Sequence, residues 1–72
     1  MAHTVKAHIT GTVWKIEVKV GDAVSAGDTV AILESMKMEI PVEAPISGTV
    51  TSIAVKPDDQ VTEGDLVLTI EP

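Results

Sequence analysis

Residues 5–34, VKAHITGTVWKIEVKVGDAVSAGDTVAILE, return at residues 42–71 as VEAPISGTVTSIAVKPDDQVTEGDLVLTIE. The two stretches align at an offset of 37 without a gap and share 15 of 30 residues, among them Gly11/Gly48, Thr12/Thr49, Val13/Val50, Gly27/Gly64 and Asp28/Asp65. Solenoids need about three or more repeats for stability, so a pattern present only twice predicts two halves of one small domain related by an approximate two-fold axis. Each half alone would leave an apolar face uncovered, so the halves must pack together and neither should fold separately. Between them lies a joint that belongs to neither copy, Ser35-Met36-Lys37-Met38-Glu39-Ile40-Pro41. The expected organisation is one domain over residues 1–72, with repeats at 5–34 and 42–71 and a hairpin joint at 35–41.

The 72 residues include no cysteine. At this size only about 60% of the unfolded chain's surface is buried, and neither disulfides nor thiolate metal sites can supplement the core. The β-branched residues are abundant, with 11 Val, 7 Ile and 8 Thr. These side chains fit a pleated surface and lose rotamer freedom in a helix, so the composition is that of an all-β protein.

Five Lys+Arg against 11 Asp+Glu give a net charge of -6, which opposes phosphate backbones and anionic membrane surfaces. Trp14 is the sole aromatic residue, so no base-stacking platform exists for single-stranded nucleic acid. The longest aliphatic run, Val30-Ala31-Ile32-Leu33, falls far short of the roughly 20 residues of a spanning helix. The N-terminus has no basic segment followed by an apolar one, and neither end carries a Gly/Ser-rich or Ala/Pro-rich linker. These features predict a soluble, cytoplasmic, free-standing module, monomeric alone, without nucleic-acid or membrane partners.

The alternation of Val13, Ile16, Val18 and Val20 with Thr12, Lys15, Glu17 and Lys19 predicts a half-buried strand over 12–20. Gly21-Asp22 and Gly27-Asp28 mark turns around a short extended piece at 23–26, and a strand follows at 29–34. The second copy repeats the plan, with strands at 49–56 and 66–71, a turn at Pro57-Asp58-Asp59, a short extended piece at 60–63 and a turn at Gly64-Asp65. About eight short strands in so small a chain imply two packed antiparallel sheets or a flattened barrel. Gly11, Gly27, Gly48 and Gly64 recur where turns need positive φ or close backbone approach.

The joint breaks its own local rules. The chain must reverse between Glu34 and Glu39, yet Ser35 to Met38 offers no Gly, Asn, Asp or Pro. Two-residue hairpins favour turns with positive φ, for which Met-Lys is a poor choice, and such violations mark candidate functional sites. With Met36-Lys37 at the corner, Leu33 and Ile40 anchor the base while Glu34 and Glu39 oppose each other facing solvent, since like charges in register are mildly unfavourable. A solvated tip lysine is ordinary on most hairpins, as Lys6, Lys15, Lys19 and Lys56 are expected to be. Lys37 differs because it stands at the pseudo-symmetric centre, framed by two adaptable methionines that suit recognition by a partner. An amine so presented suits covalent modification by another enzyme.

Glu34-Ser35-Met36-Lys37-Met38-Glu39 closely resembles the Glu-Ala-Met-Lys-Met motif of biotinyl (biotin carboxyl carrier) domains. The resemblance extends through Gly11-Thr12-Val13, residues 21–28, Ala44-Pro45-Ile46-Ser47-Gly48 and Gly48-Thr49-Val50. It implies a barrel-sandwich hybrid of two four-stranded antiparallel sheets, with the modified lysine on a hairpin turn. It also implies that a biotin protein ligase, using ATP, joins the valeryl carboxyl of biotin to Lys37 Nζ. Lysine amines are poor nucleophiles at neutral pH, so the ligase must activate the carboxyl and this chain need only present the amine. The biotinylated arm would then carry a carboxyl group between a biotin carboxylase and a carboxyltransferase, the chain itself catalysing nothing. Met36 and Met38 would flank the site for recognition, with Glu34, Ser35 and Glu39 completing the hairpin. Three departures stand out: Ser35 replaces the commoner Ala, Ala7-His8-Ile9-Thr10 replaces a Pro-containing segment, and no inserted thumb follows Trp14-Lys15. The missing thumb argues against an acetyl-CoA carboxylase carrier.

Two alternatives remain at this level. Lipoyl domains resemble this chain in fold, repeat and hairpin lysine, but typically place Asp before and Ala after the lysine; lipoate on Lys37 is the nearest rival, and both modifications are conceivable. An unmodified interaction module of the same fold is the other. His3 and His8 lack the companions of a metal site, and the aspartates at 22, 28, 58, 59 and 65 lack the spacing of a calcium loop, so no metal is expected. Trp14, replaced by Thr51 in the second repeat, is expected in the core, with a docking contact as the alternative.

Overall fold

A computed structural model describes residues 2–72. Eight strands follow in order: β1 His3–Lys6, β2 Gly11–Ile16, β3 Ala23–Val24, β4 Thr29–Ser35, β5 Met38–Glu43, β6 Gly48–Ile53, β7 Gln60–Val61 and β8 Leu66–Glu71. They form two four-stranded antiparallel sheets, β1-β8-β6-β3 and β5-β4-β2-β7. The fold is therefore all-β, as the repeat and composition predicted, with the two four-stranded sheets that the resemblance implied. Adding 37 to every residue number carries β2 onto β6 and β3 onto β7, and carries one sheet order onto the other.

Each sheet draws two strands from each repeat, so the halves interlock rather than dock. Backbone bonds between the halves come in symmetric sets. Gly27 N donates to Ala44 O and Gly64 N to Ala7 O, each at 2.8 Å, while Val13 N donates to Asp59 O at 2.8 Å and Val50 N to Asp22 O at 2.9 Å. The buried side chains obey the same rule: among the described residues, all 14 form seven repeat pairs, Val5/Val42, Ala7/Ala44, Val13/Val50, Val24/Val61, Val30/Val67, Ala31/Leu68 and Leu33/Ile70. Three further pairs, Ile9/Ile46, Ile16/Ile53 and Val18/Val55, pack against the core from its margins.

The repeated aspartates close the turns. Asp22 and Asp59 accept from the Lys19 and Lys56 amides at 2.8 and 3.1 Å, and Asp28 and Asp65 from the Ser25 and Thr62 amides at 2.9 and 2.8 Å. A side chain that satisfies a local amide in this way replaces the partner a sheet ladder would supply. Gly21 has φ +98°, and its repeat mate Asp58 also sits at positive φ, 77°, a conformation that Asp tolerates better than most side chains.

The structure corrects two expectations. The long strands predicted over 12–20 and 49–56 end at Ile16 and Ile53. Glu17 N still donates to Val30 O at 2.9 Å, after which the turn tied by Asp22 draws the chain away and leaves Val20 61% exposed. Alternation there reflects marginal packing of Val18 rather than sheet pairing. Trp14 lies outside the core, 44% exposed. The β2–β4 register slips between Val13 and Lys15, making Trp14 the extra residue of a bulge, and an equivalent slip falls at Thr51. A bulge breaks the two-residue period and re-aims side chains, so Val13 points inward while both Trp14 and Lys15 face solvent.

Gly48 shows how closely the backbones approach. An ideal Cβ there would collide with the Glu71 carbonyl oxygen and lie 2.8 Å from Ile70 Cγ2. Gly48→Ala is expected to cost about 1–3 kcal/mol through overpacking, and Leu33→Ala about 2–5 kcal/mol through the cavity it leaves. Equilibrium denaturation in urea reads both.

Candidate functional site

Strands β4 and β5 form the hairpin that contains the joint. Their register runs Ile32↔Pro41, Leu33↔Ile40, Glu34↔Glu39 and Ser35↔Met38, leaving Met36 and Lys37 as a two-residue loop. Both have positive φ, 53° and 64°, the signature of a type I′ turn. Neither residue is suited to that region, and each costs on the order of 1 kcal/mol relative to a favoured turn residue. The turn persists because its base is over-determined: Leu33 is fully buried beside Ile40, and Val42 is buried opposite Ala31. At the base, an ideal Cβ on Gly11 would lie 2.6 Å from Glu34 O, so this glycine lets β2 press against the end of β4.

The six residues of the motif are thus brought to one end of one hairpin. Lys37 is exposed, and its ammonium makes no hydrogen bond or ion pair with the described residues. Met36 is 91% and Met38 62% exposed. These are far beyond what gap-filling requires, and two unbranched apolar side chains held in water offer an adaptable surface to another protein. Glu34 and Glu39 oppose each other in register and face solvent, placing two carboxylates behind the amine, while Ser35 is half-buried opposite Met38. A free amine at the tip of a rigid hairpin can be acylated by an enzyme that closes over it. The surface hollow lined by Thr10, Gly11, Thr12, Gln60, Val61 and Thr62 holds no ionisable side chain.

Among the exposed apolar residues, Trp14 stands with Lys15 Nζ 5.0 Å from its ring centroid, a cation–π contact. Ile32 and Pro41, which share its sheet face, drew no attention from the sequence. The register that pairs Ile32 with both Lys15 and Pro41 brings them there.

Comparison with known proteins agrees with this geometry. The Biotin_lipoyl family model, described as biotin-requiring enzyme, matches residues 1–70. The biotin/lipoyl attachment protein of Bacillus subtilis (strain 168) is 56% identical over 39 residues, covering 54% of this chain and 53% of that protein. The biotinylated protein TB7.3 homolog of Mycolicibacterium smegmatis is 52% identical over 42 residues, covering 58% of this chain and 59% of that one. The match to this chain thus spans somewhat over half the length of each of these relatives. The crystal structure of Kluyveromyces lactis urea carboxylase superimposes with a TM-score of 0.93 at 45% identity, covering 99% of this chain and 6% of that one.

The strain in the turn is testable without reference to any cofactor. Met36→Asn introduces a residue at home at the first corner of a type I′ turn, and is expected to raise stability by roughly 0.5–1 kcal/mol. An upward shift of the urea midpoint without change in slope is the expected reading.

Proposed function

This chain belongs to the Biotin_lipoyl family, with biotin as its covalent cofactor, and we propose that the attachment point is Lys37 Nζ. The chain is a carrier rather than a catalyst. One observation carries the choice of residue: Lys37 is an exposed, unpartnered amine at the corner of a strained two-residue turn, framed by two exposed methionines. The other lysines lack that frame. Lys19 and Lys56 are repeat mates at matching aspartate-tied turns, Lys15 lies over the Trp14 ring, and Lys6 ends β1.

Acylation forms one amide bond between Nζ and the valeryl carbonyl carbon, with activation by ATP on a biotin protein ligase supplying the leaving group. The amine loses its positive charge and the hairpin gains a flexible arm. Bound in this way, biotin supplies a ring nitrogen that accepts and releases a carboxyl group. The chain's own work is mechanical. The interlocked core holds β4 and β5 rigid, the turn projects the arm clear of Glu34 and Glu39, and tethering turns transfer between two distant sites into a local search at high effective concentration.

In the full proposal, the partners are a biotin carboxylase that loads the arm and a carboxyltransferase that unloads it. The urea carboxylase whose structure contains this fold supports a carboxylase setting. Lipoate is the second reading, favoured by the name of the Bacillus subtilis relative; the same turn would present Lys37 to a lipoyl-transferring enzyme.

The intact mass of the protein from its own cells, followed by peptide mapping, tests the assignment. One biotin less one water on Lys37, absent in Lys37→Arg, is the expected result. The lipoyl increment would support the second reading, and an unmodified Lys37 in cells with active ligase would overturn both.

A further inference from the structure

The pseudo-two-fold symmetry supplies an internal control for the outer faces of the sheets. Residues in register project to the same face, so Lys15↔Ile32↔Pro41 lays a row across β2, β4 and β5 on the side away from the core, with the bulged Trp14 beside it. The equivalent row on the other sheet is Ser52↔Thr69↔Thr4, with Thr51 at the bulge. The same four backbone positions therefore carry Trp, Lys, Ile and Pro on the sheet that ends in the Lys37 hairpin, and Thr, Ser, Thr and Thr on the other. The polar set satisfies the fold: Thr51 donates its hydroxyl to Thr69 O at 3.3 Å. Trp14 and Pro41 are exposed and Ile32 is half-buried between them, and apolar surface left in water forgoes about 25 cal/mol per Å².

We infer that the Trp14–Ile32–Pro41 row is the docking face for the enzyme that acylates Lys37, a protein offering an apolar contact rimmed by Lys or Arg. The inference rests on the biotin-carrier reading. Its first support is charge: Glu34, Glu39 and Glu43 are exposed on the strands beside the row. A second copy of this chain, net charge -6, would set these carboxylates against their own kind, which like-charge juxtaposition disfavours. Nucleic acid meets the same repulsion.

Reach supplies the second support. Ile32 lies three residues before Ser35, about 10 Å along the strand, and on the outer face a single pair, Glu34↔Glu39, separates the row from the turn. A standard interface patch of about 800 Å² per partner spans both. The acylating enzyme must bring its active site to Nζ itself, so it must rest on the hairpin and the sheet behind it. An enzyme that uses the finished arm acts roughly 14 Å from the Lys37 Cα, across about eleven bonds, and can work without touching the row.

The repeat also supplies the variant. Trp14→Thr/Ile32→Thr gives this face the residues of its mate, with Thr51→Ala on the opposite face as the control. Acylation of the whole chain by biotin protein ligase, with biotin and ATP, is followed by intact mass. The double variant should raise KM roughly tenfold or more with kcat little changed, as for loss of an interface hot spot, while Thr51→Ala leaves both unchanged. An unchanged KM in the folded double variant overturns the docking face.

The wild-type chain gives a check free of folding effects. Trp14 is the only tryptophan, so 5-fluorotryptophan labelling yields one fluorine resonance, which should shift or broaden on titration with ligase. No change overturns the inference, as does a shift that depends only on the carrier's own concentration, which would mark self-association. A wild-type chain that takes no biotin fails the carrier reading itself. Normal loading that ignores Trp14 fails the docking face alone.

Discussion

Every buried side chain among the described residues answers to a partner one repeat away, and the two sets share a single core. Seven pairs fill it, from Val5/Val42 to Leu33/Ile70, and the strands that carry them alternate between the sheets so that each sheet contains both halves. Half of the chain would therefore have neither a complete sheet nor a complete core. In a domain where only about 60% of the surface can be buried, this interlocking makes so small an all-β chain self-sufficient without a disulfide.

That rigidity supports the one segment with poor local energetics. Met36 and Lys37 adopt backbone conformations that their side chains disfavour, between two carboxylates that repel each other. The closed register from Ile32↔Pro41 to Ser35↔Met38 holds them there. Strain of this kind persists only where the surroundings over-determine it. What results is a fixed point of projection for a single amine.

Symmetry also separates scaffold from function. Where the repeats agree, the residues build the fold: the core pairs, the aspartate-tied turns, and the glycines at close approaches. Where they differ without a structural reason, the chain departs from the requirements of its own scaffold. The outer row of Trp14, Lys15, Ile32 and Pro41 against Thr51, Ser52, Thr69 and Thr4 is the largest such departure within the sheets, and the joint lies outside the repeat altogether. Both fall on the same sheet, β5-β4-β2-β7.

Much of this was legible from residues alone. The offset of 37 residues, the β-branched composition and the turn residues led to eight strands in two sheets, and the rule-breaking joint led to Lys37. Strand ends were not legible, because the alternation through Val18 and Val20 looks the same whether a residue pairs in a ladder or packs loosely at the margin. Trp14 was placed in the core because large aromatics usually go there, and a one-residue bulge reversed that.

The sequence by itself determined the pairing of the halves, the class of the fold and the lysine at its centre, since an apolar pattern repeated at a constant offset specifies which faces must meet. Only the tertiary structure decided which side of the sheet Trp14 faces, how Ile32 and Pro41 join it, and that the turn is of the strained two-residue type. Those outcomes depend on the register between strands distant in sequence, where a slip of one residue sends a side chain to the opposite face.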